Sequence, residues 1–336
     1  MINTLQRPIV ANNIMDTIGQ TPLVRLRSLS DRSGANVYAK MESFNPGGSM
    51  KDRSSLNIVQ KALKKGLLRK GDTIVESSSG NMAIGLAQTC LHFGLKLMVV
   101  VDPKLNGHTA KILKAYGAKL EMVTDDNGEG GFLGARLRKV QELVQKVPNA
   151  FWSDQYSNPN NPSAHHETMD EIAMALNGKV DYLFVATSTC GTVMGCSDYV
   201  IKNGLQTKVI AVDAVGSILF GGKPRKRLIP GHGAGVPSNF LKPQNLSGFV
   251  HVDDLGCIEG CWQLLREEAI MAGGSTGAIV SAFNSYSENI PDDANCALLV
   301  GDSGERYLDT IYNREWIREH FSGDRLLKLI GEEAQL

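Results

Sequence analysis

Short runs of β-branched and aliphatic residues alternate along this chain with longer stretches in which apolar positions recur at helical spacing. The strand-like runs fall at 36–41, 73–76, 97–101, 119–123, 181–186, 208–213 and 296–300. Between them the periodicity predicts helices over 54–65, 83–93, 109–116, 134–146 and 255–272, and one that contains Met194 and Gly195. Strands separated by helix-length segments make an α/β fold, with mainly parallel sheets flanked by helices. Three stretches break the alternation. Residues 125–131 form a polar, glycine-rich loop, 157–163 is rich in Asn and Pro, and 216–240 holds two runs rich in Gly, Lys and Arg or in Gly and His. The second break is the expected boundary between two lobes. The third is too long for a plain connection inside a packed domain and points to function.

At 336 residues, 42% hydrophobic and 21% charged, the chain is long enough for two packed cores. Lysine plus arginine equals aspartate plus glutamate at 35 each, so no overall field draws it to nucleic acid or to an anionic membrane. Any anion it binds must be held by a local device. Apolar runs of membrane-spanning length and the pattern of a secretory signal are both missing, so the expected location is the cytoplasm. The six cysteines show no CxxC pair and no zinc-ligand spacing, and His165 and His166 are neighbours that a helix would aim in different directions. Reduced, buried thiols are expected, and no metal.

The candidate chemistry begins with Asn45-Pro-Gly-Gly-Ser-Met-Lys51, a flexible loop that places a lysine at a helix N-terminus. That end of a helix suits anions rather than ammonium ions. A nucleotide-binding loop would read G-x-x-x-x-G-K-[ST], which Gly-Gly-Ser-Met-Lys-Asp does not. A solvated lysine opening a helix is the plain alternative. After the strand at 73–76 comes Glu76-Ser-Ser-Ser-Gly-Asn81, small hydroxylic residues and glycine ahead of a helix, which offer backbone N–H groups to a carboxylate or phosphate or simply form a capped turn. No hydrolase elbow G-x-S-x-G is present. Ser188-Thr-Cys-Gly-Thr192 repeats the arrangement after the strand at 181–186, and Ala272-Gly-Gly-Ser-Thr-Gly277 lets a hydroxyl-bearing turn approach something flat or bulky. Two anion cups, one lysine able to condense with a carbonyl, and a close hydroxyl are what an aldehyde cofactor with a phosphate tail requires. Pyridoxal 5′-phosphate is such a cofactor.

From Ile18-Gly-Gln-Thr-Pro-Leu-Val24 through the 45–53 loop, Ser79-Gly-Asn81 and the 188–192 cup to Ser303-Gly-Glu-Arg-Tyr-Leu308, the chain resembles the cysteine synthase/cystathionine β-synthase family of fold type II pyridoxal-phosphate enzymes. The resemblance implies Lys51 as the Schiff-base lysine and proton carrier, and Asn81 bonded to the cofactor's 3′-oxygen. It gives the phosphate to Ser188, Thr189, Cys190, Gly191 and Thr192, and the pyridine nitrogen to Ser275. A hydroxyl there does not enforce ring protonation, which favours β-elimination over transamination. Ser77, Ser78, Ser79, Gly80 and Gln155 would grip the substrate α-carboxylate. It also implies a smaller mobile domain over 46–156, a larger cofactor-binding domain over 12–45 plus 157–325, and a homodimer. One departure stands out: the family cup is usually Gly-Thr-Gly-Gly-Thr, and here Ser188 and Cys190 replace glycines. Cys190 is either a reactive thiol or an inert packing residue.

Val101-Asp-Pro-Lys104, Gly130-Gly-Phe-Leu133 and residues 216–231 look like the siderophore-pathway branch of the family, which joins O-phospho-L-serine to L-glutamate through a new C–N bond via an α-aminoacrylate, on the way to 2,3-diaminopropionate. Such substrates bring several negative charges to a protein of no net charge, so local cations must meet them. Arg136, Lys223, Arg225 and Arg227 are candidates, each with a solvated surface role as the alternative. A cysteine synthase acting on O-acetylserine or O-phosphoserine with sulfide is the rival within the family. A catalytically silent binding or regulatory relative that keeps the fold is the rival from a different functional class.

Overall fold

The structure, a computed structural model, describes residues 10–126, 131–323 and 325. Its first half runs β1 (Leu23–Arg25), α1 (Arg27–Ser33), β2 (Asn36–Met41), α2 (Lys51–Lys64), β3 (Thr73–Ser77), α3 (Asn81–Phe93), β4 (Lys96–Val101), α4 (Gly107–Ala115), β5 (Lys119–Met122), α5 (Gly131–Lys146) and β6 (Ala150–Trp152). The second half runs α6 (Asn160–Ala175), β7 (Tyr182–Ala186), α7 (Gly191–Lys202), β8 (Lys208–Ala214), β9 (Gly248–Val252), α8 (Asp254–Glu268), α9 (Gly274–Tyr286), β10 (Asn295–Val300) and α10 (Arg314–His320).

Two compact units result. The first holds Glu42–Glu171 with the described residues up to Pro22, and the second Leu23–Met41 with the described residues from Ile172 onward. In the first, four parallel strands lie in the order β5-β4-β3-β6, with Ser77 of β3 level with Val100 of β4. One face of that sheet packs on α2 and α3 through Ile58, Val59, Ile74 and Leu86, the other on α5 through Val75, Val100 and Val140. The second unit carries six strands in the order β1-β2-β10-β7-β8-β9, all parallel except for the β1–β2 pair. Strands buried on both faces read as continuous apolar runs, as Tyr182–Ala186 and Asn295–Val300 do.

The periodic strands and helices appear where the pattern predicts them, within a few residues at each end. Two differences have local causes. The Asn- and Pro-rich stretch 157–163 contains the start of α6: Asn158 Oδ1 accepts the N–H of Asn160 at 3.0 Å, and Pro162 sits in the first turn, where a missing N–H costs nothing. The segment 255–272 is a shorter helix. It stops at Glu268 because Ala269 turns left-handed at φ 55°. Residues 215–242 have no helix or strand, as expected, while the centre of the 125–131 loop lies outside the described residues. All six cysteines are buried thiols. Among the described residues no helix is long and apolar enough to cross a membrane, and no three metal-ligating side chains gather.

Candidate functional site

In the first unit, Lys51 is the first residue of α2, three residues ahead of the predicted start. Ser49 Oγ accepts the Lys51 N–H at 3.2 Å, and the Asp52 carboxylate folds back onto the N–H of Gly47, so the loop closes on the first turn of its own helix. Asp52 also places a negative charge where the helix favours one. Arg53 anchors this turn. It forms paired hydrogen bonds with Glu42 at 2.7 and 2.8 Å and with Glu171 at 2.8 and 2.8 Å, all three side chains being buried or nearly so. Burial alone would lower its pKa, but the two carboxylates more than offset that and raise it.

Asn81 opens α3, and α3 packs against α2. The close approach depends on Gly85, one turn after Asn81: a Cβ there would run into Ser55 Oγ and sit 3.3 Å from the Lys51 carbonyl. Glycine at this position therefore sets the distance between the two helix starts.

The turn Ser77–Gly80 follows the buried strand β3, and a carboxylate below it holds its neighbours. Glu76 accepts from the Ser77 N–H at 2.7 Å, from Ser153 Oγ at 2.7 Å and from the Gln155 N–H at 3.1 Å. Burial pushes the Glu76 carboxyl up to about 7, against the pull of those three donors. Gln155 then donates through Nε2 to the Ser77 carbonyl at 3.1 Å, so the turn and Gln155 share one buried scaffold. Asn161 donates to the Gln155 carbonyl at 2.7 Å and accepts from Ser54 Oγ at 2.8 Å.

Of the four candidate cations, Arg136 reaches this turn. Its Nη1 lies 3.4 Å from Ser79 Oγ and its Nε 3.4 Å from Asp102 Oδ2, and the side chain is only 12% exposed. Lys223 and Arg225 are exposed in the second unit, where the half-buried Arg227 donates to the His232 carbonyl at 2.8 Å.

In the second unit, the 188–192 cup joins the C-terminal end of β7 to α7, whose first residue is Gly191. Ser238 Oγ donates to the Thr189 carbonyl at 2.7 Å, and the Gly191 N–H to Thr189 Oγ1 at 3.3 Å. Cys190 takes the left-handed conformation at φ 66°, so the backbone keeps the angle a glycine would adopt freely. Its thiol is buried and pushed by that burial up to about 12, which fits the packing role rather than the reactive one. Ser275 is buried in the first turn of α9. Gly277, close by, serves helix packing: a Cβ there would strike the Cys257 carbonyl, so that residue lets α9 press on α8.

Sequence reasoning gave no individual role to Glu76, Asp102 or Asn161, although Glu76 shows as a glutamate inside the run Thr73–Ser77 and Asp102 lies in the Val101–Lys104 stretch. A model of the pyridoxal-phosphate dependent enzyme family matches residues 14–302. The N-(2-amino-2-carboxyethyl)-L-glutamate synthase of Ralstonia nicotianae is 43% identical over 310 residues, 92% of each chain. Among solved structures, an O-ureido-L-serine synthase matches with a TM-score of 0.84 at 32% identity, over 94% of this chain and 98% of its own. The cysteine synthase of Entamoeba histolytica matches with 0.85 at 30% identity, over 98% of both.

Proposed function

The chain belongs to the family of pyridoxal-phosphate-dependent enzymes, and we propose that it joins O-phospho-L-serine to L-glutamate, releasing phosphate and N-(1-amino-1-carboxy-2-ethyl)-L-glutamate for 2,3-diaminopropionate and siderophore biosynthesis. The observation that carries this reading is the 43% identity to a synthase of that product class over 92% of both chains. The position of Arg136 against the Ser77–Gly80 turn supports it, because a dianionic leaving group needs a cation there.

The cofactor is pyridoxal 5′-phosphate, and the donor set suits it. Lys51 would hold the aldehyde carbon, Asn81 the ring oxygen, Ser188 to Thr192 the phosphate on the N-terminal end of α7, and Ser275 the ring nitrogen. Bound, the cofactor supplies an electron sink next to the substrate Cα. In this reading the Lys51 amine takes the proton from Cα and later returns it. The Ser77–Gly80 turn and Gln155 hold the α-carboxylate, while Arg136 takes the departing phosphate. At Cβ the bond to the phosphate oxygen breaks and a bond to the glutamate amine forms, the amine losing one proton. Residues 46–156 are the segment that moves when the first substrate binds, excluding water. The enzyme works as a cytoplasmic homodimer.

The test pairs substrates. Enzyme and O-phosphoserine are mixed with glutamate or with sulfide, and phosphate release and product mass are measured, with Lys51→Ala as the inactive control. Turnover with sulfide alone overturns the assignment of glutamate.

A further inference from the structure

Behind the substrate turn lies a buried chain of hydrogen bonds that no role above uses. Asn161 and Ser54 are 1% and 0% exposed. The Gln155 carbonyl can only accept, so Asn161 must present Nδ2 to it and turn Oδ1 toward Ser54. Ser54 has one proton, and it goes to Oδ1. Its lone pair therefore takes the Nε2–H of His165 at 3.1 Å, which leaves Nδ1 of that ring to accept from Thr168 Oγ1 at 3.2 Å. Burial, with the charges of Lys51 and Arg53, holds the His165 pKa well below its ordinary value, so the ring stays neutral and the proton order persists.

The donor-to-acceptor order along this chain is fixed, and the chain runs between the two elements given roles above. Ser54 sits one turn after Lys51 on α2, and Gln155 bonds the Ser77 carbonyl. We propose that Asn161 is a positioning residue that fixes Gln155, and with it the carboxylate-holding turn, to the helix that carries Lys51. The inference rests on the reading that Gln155 and the Ser77–Gly80 turn hold the substrate carboxylate. An amide suits the task because it donates one way and accepts the other without adding charge beside a bound anion.

Asn161→Ala breaks both bonds. The KM for O-phosphoserine should rise about tenfold, the effect of one lost buried hydrogen bond, with kcat and the KM for glutamate changing less than about threefold. A merely structural defect would lower the active fraction, and so kcat, and leave KM alone. In a Gln155→Ala background the same substitution should add less than about twofold, since its effect passes through Gln155. Should Asn161→Ala load cofactor poorly, Ser54→Ala replaces it: Asn161 stays but is unlatched from α2, and KM should rise about threefold. An unchanged KM in either folded variant, or a full tenfold increment on top of Gln155→Ala, overturns the inference. If Gln155→Ala alone leaves the O-phosphoserine KM unchanged, the reading of the carboxylate grip fails instead.

Discussion

Glu76 gives the sharpest test of the electrostatics under the site. Its carboxyl is fully buried, and burial moves it from 4.5 to about 7 even though Ser153 and two backbone N–H groups bond it. In the unfolded chain it titrates near 4.5. Between those two values the folded protein keeps a proton that the unfolded chain has lost, so stability falls as pH rises through the window. The full contribution is present below about 4.5 and gone above about 7. At about 1.4 kcal/mol per pH unit, the loss amounts to about 3 kcal/mol. Glu76→Gln removes the titration along with some of the hydrogen bonding. Urea unfolding of both proteins at pH 5 and pH 8 isolates the effect, because every other ionisation cancels in the comparison. Because pH 5 already lies within the window, the wild type should lose about 2–3 kcal/mol relative to the variant on going from pH 5 to pH 8. A difference between the two proteins that is the same at both pH values would refute a raised Glu76, and with it the view that burial outweighs the three donors.

Gly85→Ala should push α3 away from α2 at a cost of about 1–3 kcal/mol, the usual penalty of overpacking; cofactor absorbance after purification should fall, and an unchanged value would show that the helix separation is uncritical. Arg136→Gln should lower kcat/KM for O-phosphoserine by about tenfold or more while O-acetylserine turnover changes little, on the proposed reading that the guanidinium beside Ser79 meets the leaving group; equal losses would assign it a structural role. Cys190→Gly should stabilise the protein by up to about 1 kcal/mol by relieving a left-handed residue, and the native thiol should resist Ellman's reagent at pH 8, a reaction that would contradict its raised pKa.

The sequence exposed what is periodic and concealed what is mutual. β3, β4, β7, β8 and β10 are buried runs of apolar residues and announce themselves, whereas β1, β6 and β9 are short, partly exposed strands of 3–5 residues at or near sheet edges with too few positions to carry a period. Helix α9 was hidden for the opposite reason. It is buried on nearly every side from Gly274 to Phe283, so it has no polar face to alternate with an apolar one. Among the candidate residues, Lys51, Asn81, Ser275 and the 188–192 cup stand out by residue type and by their place before helices. Asn161 does not, because its bond to Ser54 spans 107 residues and resembles any Asn in a Pro-rich break. The charges of Lys223, Arg225, Arg227 and Arg136 look alike in sequence. Only the fold separates the one drawn to a turn from those left at the surface or bonded to a carbonyl.

The topology explains why these turns, rather than others, suit the roles proposed for them. In a parallel sheet most strands leave the C-terminal edge into a connection that leads to a helix N-terminus, so N–H groups and positive dipole ends collect along that edge. β3 leads to Ser77–Gly80 and α3, β4 to Asp102, and β7 to the 188–192 cup and α7. Because Ser77 is level with Val100, the residues two beyond each, Ser79 and Asp102, come to similar depth, and α5 lays Arg136 across both. A lysine at a helix N-terminus, such as Lys51, opposes the local field. Here Asp52 supplies the negative charge in the same turn, and Arg53 is taken up by Glu42 and Glu171, so the cations of α2 are answered by carboxylates fixed in place. The amine at position 51 is thereby presented by a helix whose first turn is anchored on three sides, which is the rigidity that the proposed role of Lys51 as proton carrier demands.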